Sequence, residues 1–275
     1  MMAQHVTLER PREGVGLITM SNPAINNHVS WIGVGQLSAA IKEARESGAR
    51  VVVLASGVAG HWFEHAWLQD LADAIEGKPT TGEGVAWFNA LREIGGTHVV
   101  SIAAISGDCS GGGAELGWAC DLRIAEEHAL FAQPEIQIAL TTGIGGTSRL
   151  ARLIGRSAAA EMVMIGRPMT ARRIYELGGV NEVVPAGKAV EVALEWAGTI
   201  ADRPPKALAA LKQILIDNDD MKQGDALANE QRLFQSVANA PEAIRTMRSI
   251  QRRFDAGESI RKVYGLPRGS AAREP

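Results

Sequence analysis

The feature that most restricts this chain is an apolar strand running into three consecutive glycines. Val99 to Ile105 is almost continuously apolar and of strand length, as expected for a strand covered on both faces. It leads into Ser106-Gly107-Asp108-Cys109-Ser110-Gly111-Gly112-Gly113-Ala114-Glu115-Leu116, with a helix predicted to follow. Each glycine in a helix costs about 1 kcal/mol relative to alanine, so three together need a purpose. They admit backbone conformations closed to other residues and let the main chain approach a ligand closely. At a helix start they also present unpaired N–H groups, backed by the positive end of the helix dipole. That is a device for stabilising an anion. Neither this segment nor Gly143-Ile144-Gly145-Gly146 fits G-x-x-x-x-G-K-[ST] or G-x-G-x-x-G, so a nucleotide phosphate loop is not indicated.

Around this segment the chain alternates strand and helix early and turns helical late. Val6–Arg10 and Val15–Met20 read as strands separated by Pro11-Arg12-Glu13-Gly14, a turn composition. Ser30 is placed to cap a helix running to about Ser47, with Ile32, Leu37, Ile41 and Ala44 on its apolar side. Val51–Leu54 is another fully apolar strand, and Leu122–Ala125, Leu130–Ala132 and Val180–Val184 are shorter ones. The stretch Ile75–Gly84, rich in Gly, Thr and charge, predicts a mobile connection. Helical patterns cover roughly 145–153, 156–165, 170–177, 187–202, 205–217, 224–237 and 240–256. The expected organisation is an α/β core over 1–200, a helical region over 201–264 and a disordered tail over 265–275.

Bulk properties exclude several classes. A formal net charge of -3 argues against a nucleic-acid binder held by phosphate contacts. Two cysteines, Cys109 and Cys120, make no disulfide framework in 275 residues. Met1–Arg10 lacks the apolar stretch of a signal peptide, and no run of about 18 apolar residues suggests a membrane span. A cytoplasmic protein is expected.

Two carboxylates stand out. Glu115 lies just inside the helix that begins at the glycines, where it also suits the helix dipole. Glu135 lies in Gln133-Pro134-Glu135-Ile136. Two carboxylates near an anion-stabilising turn can divide acid and base roles, although spacing alone does not bring them together. His61-Trp62-Phe63-Glu64-His65 fits the inverted zinc-protease pattern H-x-x-E-H. That chemistry needs a helix, so that both histidines share a face, and a third ligand.

Several ordered blocks carry a resemblance. Ile102 to Gly107, Gly111 to Leu116, Ala119-Cys120-Asp121-Leu122-Arg123-Ile124-Ala125, Phe131 to Glu135, Gly143 to Leu150, Arg152 to Gly155 and Gly178 to Pro185 follow one another at family spacing. Together with Asn22-Pro23 they resemble the crotonase (enoyl-CoA hydratase/isomerase) family over roughly residues 5–255. The resemblance implies an α/β crotonase (ClpP-like) fold, a spiral of ββα units followed by a helical region. It implies action on an acyl-CoA thioester, with no metal and no cofactor beyond the CoA of the substrate, and a homotrimer or homohexamer. By resemblance Gly112 and Ala66 supply an oxyanion hole. Glu115 and Glu135 are the catalytic pair, and Gly143 helps position water. The sequence departs from the family where His65 replaces a loop glycine and Trp67 an aspartate, and where Ala139 and Thr142 replace a glycine and a proline. His65, Trp67 and Leu68 are therefore expected in the substrate pocket. The reaction implied is hydration of an enoyl-CoA. An isomerase, a C–C bond hydrolase or a non-catalytic paralogue are the alternatives, and Arg252 and Arg253 are nearby candidates for the CoA phosphates.

Overall fold

Two sheets share a repeating unit: a strand in the larger sheet, a short strand in the smaller one, then helix. The computed structural model describes residues 5–265. A hairpin of β1 (Val6–Arg12) and β2 (Val15–Met20) opens the chain, followed by α1 (Trp31–Glu46). The first unit is β3 (Val51–Ser56), β4 (Gly60–His61), α2 (Leu68–Ile75) and α3 (Val85–Gly95). The second is β5 (Val100–Ile105), β6 (Gly107–Ser110) and α4 (Gly111–Ala119). The third is β7 (Leu122–Glu126), β8 (Leu130–Ala132), α5 (Ser148–Ile154) and α6 (Arg156–Ile165). Then come β9 (Met169–Thr170), α7 (Ala171–Glu176), β10 (Glu182–Val184) and α8 (Ala189–Ala201). The large sheet runs β1-β2-β3-β5-β7-β10 and the small one β4-β6-β8-β9. Only the β1–β2 and β8–β9 pairs are antiparallel.

The apolar strands are buried on both faces, as their unbroken runs require. On β3, Val52 and Leu54 join the core that contains α1, α3 and α4 residues, whereas Val51 and Val53 point to the opposite face. That second face meets α8, whose buried residues Ala189, Ala193, Ala197 and Ala201 repeat every four positions. Small side chains along one stripe let the helix lie close to the sheet. Ser30 caps α1 as expected, its side chain accepting from the Gly33 amide.

Two buried polar residues tie the connections. Asn27 adopts a left-handed backbone (φ 58°), which asparagine tolerates better than most residues. Its Nδ2 donates to Met20 O (3.2 Å), Ser56 Oγ (2.8 Å) and Trp62 O (2.8 Å), and its Oδ1 accepts from the Asn22 amide. Asp70, buried on α2, accepts from the amides of Trp31 and Thr81 (2.8 Å each) and from Thr81 Oγ1 (2.7 Å). The connection after α2, expected to be mobile, is thus pinned through Thr81 to the start of α1.

A second compact unit begins at Lys206. Its helices are α9 (Pro205–Asn218), α10 (Gln223–Ala238), α11 (Pro241–Asp255) and α12 (Ile260–Tyr264). Asn229 Nδ2 donates to Asp217 Oδ2, joining α10 to α9. Arg253, a candidate for CoA phosphates, instead directs its guanidinium to Glu258 and to the carbonyls of Lys262 and Val263. Gly265 closes α12, and residues 266–275 of the expected tail lie outside the described residues.

Removing the Asn27 amide leaves several buried groups unpaired. Asn27→Ala should lower the unfolding free energy by about 2–4 kcal/mol, read as a lower denaturant midpoint at unchanged slope.

Candidate active site

The three glycines at the start of α4 are explained by what lies against them. A Cβ on Gly111, which adopts φ 47°, would come within 2.6 Å of His65 Cβ. One on Gly113 would collide with the carbonyl oxygens of Phe63 and Glu64. One on Gly112 would sit 3.3 Å from the Ala66 amide nitrogen. The loop 63–66 therefore presses directly on the helix start, main chain against main chain. Glu64 fastens it there by accepting from Ser110 Oγ (2.7 Å) while its other oxygen meets His61 Nδ1 (2.8 Å).

The direction of the Ala66 amide is set from the other side. Val29 donates to His65 O (3.0 Å) and accepts from the Trp67 amide (2.9 Å), forming a single parallel bridge. Main-chain groups alternate in direction along an extended segment, so the Ala66 N–H points away from Val29. The Gly112 amide is among the first four of α4 and has no acceptor within the helix. Both amides border a cavity of about 640 Å³ with a largely apolar wall, to which Trp31, Leu71, Trp87 and Phe88 contribute.

Glu115, Glu135, Gly143, His65 and Leu68 line the same cavity. Glu115 Oε1 accepts from the amides of Ile144 (2.9 Å) and Gly146 (2.6 Å). Burial pushes its carboxyl above the usual range, and those two amides, the Arg149 charge and the Gly143 amide pull it back. Glu135 begins a 3-10 turn, Glu135–Ile138. Burial raises its pKa to about 7; its own amide opposes the shift and the Glu115 charge adds to it. Glu135 Oε2 is buried with no hydrogen-bond partner among the described residues. Two acids, both raised by burial, thus share one chamber with two outward amides.

The sequence profile described as Enoyl-CoA hydratase/isomerase matches residues 10–253. The chain belongs to the enoyl-CoA hydratase/isomerase family. Among its relatives is a protein of Arabidopsis thaliana named probable enoyl-CoA hydratase 2, mitochondrial, 32% identical over 236 residues, covering 84% of this chain and 77% of that protein. A probable enoyl-CoA hydratase of Mycobacterium bovis is 29% identical over 237 residues, covering 86% and 91% respectively. The crystal structure of an enoyl-CoA hydratase subunit I from Geobacillus kaustophilus superposes with a TM-score of 0.81 at 26% identity, covering 94% of this chain and 98% of that one. A Bacillus anthracis enoyl-CoA hydratase structure gives the same TM-score, 0.81, and identity, 26%, over 91% and 97%. The architecture is the crotonase fold.

Against that family pattern, two departures resolve differently. His65 lines the cavity without a positive φ, so this position does not call for a backbone conformation reserved for glycine. Both its ring nitrogens are engaged: Nδ1 with Ala66 O (2.9 Å) and Nε2 with His28 Nε2 (3.0 Å). His28 in turn reaches Ile25 O through Nδ1. Burial lowers the pKa of His65. Through these contacts the imidazole packs against the 63–66 loop. Trp67, expected in the substrate pocket, is not among the cavity's lining residues; it precedes α2 and its ring lies edge-on to His28, 5.9 Å away. The H-x-x-E-H run is not helical, since His61 ends β4 and Glu64 and His65 follow on the loop. Among the described residues no group of three His, Cys, Asp or Glu is arranged to hold a metal, and no helix is long and apolar enough to cross a membrane. The cavity walls from Trp31, Trp87 and Phe88, and the tethers Asn27 and Asp70, were not foreseen from sequence.

The Glu135 shift has a stability consequence. The folded chain holds this proton more tightly than the unfolded chain, whose value is near the ordinary 4.5. Its contribution is full below that value and is lost as pH rises to about 7. Glu135→Gln should therefore be more stable than wild type at about pH 8, by about 1–2 kcal/mol after solvent screening, with the advantage vanishing below about pH 4. Denaturant midpoints at the two pH values check this.

Proposed function

We propose that this enzyme adds water across the 2,3-double bond of an enoyl-CoA thioester. The observation that supports this reading is the meeting of two carboxylates and two outward backbone amides on one cavity. In this mechanism the thioester oxygen lies between the amides of Ala66 and Gly112. Both are fixed before substrate arrives, so charge developing on that oxygen meets dipoles that need not reorganise.

The carboxylates then divide the work. Glu115 is oriented by the Ile144 and Gly146 amides on Oε1, which stabilise its ionised form and leave Oε2 for the water. It takes a proton from that water as the oxygen bonds to C3. The Gly143 backbone helps hold the water in line. Glu135, with a pKa of about 7, is substantially protonated near neutrality and delivers its proton to C2. Solvent exchange afterwards returns the proton from Glu115 to Glu135. The CoA moiety arrives with the substrate and no other cofactor is required.

An isomerase uses the same enolate and remains the second reading, since two acids on one cavity also serve to move a proton between carbons. Crotonyl-CoA separates them: a hydratase removes the enoyl absorbance and an isomerase does not. With that assay, Glu115→Gln and Glu135→Gln should each lower kcat by about a hundred- to ten-thousandfold. Gly112→Ala places a methyl beside the Ala66 amide and should cost about a hundred- to a thousandfold. The kcat/KM profile should fall as pH rises through about 7, where Glu135 loses its proton, and fall again on the acid side as Glu115 gains one. A flat profile through neutrality, or turnover undiminished in either glutamine variant, would remove these roles.

A further inference from the structure

His28 and His65 meet beside the loop that carries the Ala66 amide, and the proposed reaction uses neither. His65 lines the cavity; His28, ahead of α1, is not among the lining residues. Both are half-buried. His28 Nδ1 contacts Ile25 O, His65 Nδ1 contacts Ala66 O (2.9 Å), and the two Nε2 atoms lie 3.0 Å apart. The rings meet at 70° with centroids 4.1 Å apart, an edge contact without stacking. The nearby Glu64 carboxylate is already engaged by Ser110 and His61.

Counting hydrogens across this chain decides its charge. A carbonyl oxygen has no proton to give, so each Nδ1 is the donor in its contact. A neutral imidazole has a single N–H, and here the carbonyl takes it. Both Nε2 atoms would then be bare acceptors, lone pair against lone pair across 3.0 Å. Moving either hydrogen to Nε2 cures that contact but leaves a bare Nδ1 against a carbonyl. All the contacts are satisfied together when the pair holds three N–H hydrogens, two toward carbonyls and one between the rings. Such a pair carries one positive charge. Burial opposes that charge on His65, whereas the Ala66 carbonyl and the Glu64 carboxylate favour it. The proton is shared, so its titration belongs to the pair.

We propose that His28 and His65 act as one singly protonated unit whose charge supports the oxyanion developing beside the Ala66 amide. This rests on the reading that the thioester oxygen lies between the Ala66 and Gly112 amides. His65 is joined to Ala66 by the peptide bond that carries one of those amides, and its Cβ crowds Gly111. No lysine or arginine lines the cavity among the described residues, and its other titratable lining groups are the carboxylates Glu115 and Glu135. The pair therefore supplies positive charge where the lining otherwise offers acids. A cation placed there acts most strongly on the transition state, in which the oxygen carries most charge.

Nitrogen-15 NMR of the full-length protein with labelled histidine counts the hydrogens directly, since protonated and bare ring nitrogens differ widely in chemical shift. Signals lost in His28→Gln and in His65→Gly assign the two rings. Near neutrality both Nδ1 atoms should be protonated, with one further hydrogen shared by the Nε2 atoms. A bare Nδ1 on either ring, or two neutral rings, would overturn the inference. The role of the charge is read with acetoacetyl-CoA. On losing a C2 proton to solvent this thioester becomes an enolate, which bears charge on the thioester oxygen and absorbs in the near ultraviolet. His28→Gln keeps a neutral N–H for His65 Nε2 and removes the charge. It should lower the ratio of enolate to keto form in the bound ligand by about tenfold, with the affinity for butyryl-CoA unchanged. A wild-type ratio in this variant would overturn the inference, because a merely structural hydrogen bond is retained there. So would an equal loss of affinity for both thioesters. Failure of the hydratase reading shows separately, as crotonyl-CoA left unconsumed by the wild type, and alters neither the hydrogen count nor the enolate ratio.

Discussion

The contact on which the site depends is the one between the 63–66 loop and the first turn of α4. It is made of main chain on both sides, and it closes only because residues 111, 112 and 113 carry no side chains. The usual arguments for glycine in a turn concern torsion angles, and here Gly111 alone has a positive φ. For Gly112 and Gly113 the requirement is room. The Glu64–Ser110 hydrogen bond and the Val29 bridge hold the loop from opposite sides. The two amides that border the cavity are thus fixed by backbone geometry, with little dependence on side-chain rotamers.

The same economy governs the acids. Glu115 projects from the helix that offers Gly112, and the amides that hold it belong to the 143–146 loop. Its environment combines burial, which favours the neutral form, with donors that favour the charged form. Glu135 is also raised by burial, but only its own amide opposes that shift, and its Oε2 has no hydrogen-bond partner among the described residues. Two identical side chains thus meet unequal numbers of main-chain donors.

Much of this was readable from the chain. Strands 51–54 and 99–105 announce themselves as apolar runs, Ser30 as a cap and residues 111–113 as a place where backbone must come close. The family resemblance names Ala66, Gly112, Glu115 and Glu135, and all four line one cavity. What escaped notice depends on residues far apart in sequence. The short helix α2 and its following loop are fixed by Asp70 through groups at positions 31 and 81. β4 has two residues and is defined by its pairing with β6. Trp67 is expected in the pocket as a departure from the family pattern, but its ring sits edge-on to His28 instead. Ala139 keeps a left-handed backbone (φ 58°) where the family has glycine, so the turn after Glu135 survives the substitution with some torsional cost.

Asp70 also joins parts of the chamber that are usually thought of separately. Trp31 hangs from it by its amide, Leu68 and Leu71 flank it on α2, and Thr81 ties in the stretch that leads to Gly84. These wall residues come from three chain segments yet share one buried anchor behind them. This part of the chamber wall is therefore tied at one point. Reshaping it for a different acyl group is simplest by exchanging side chains on its inner surface, because shifting any one segment means dragging the other two.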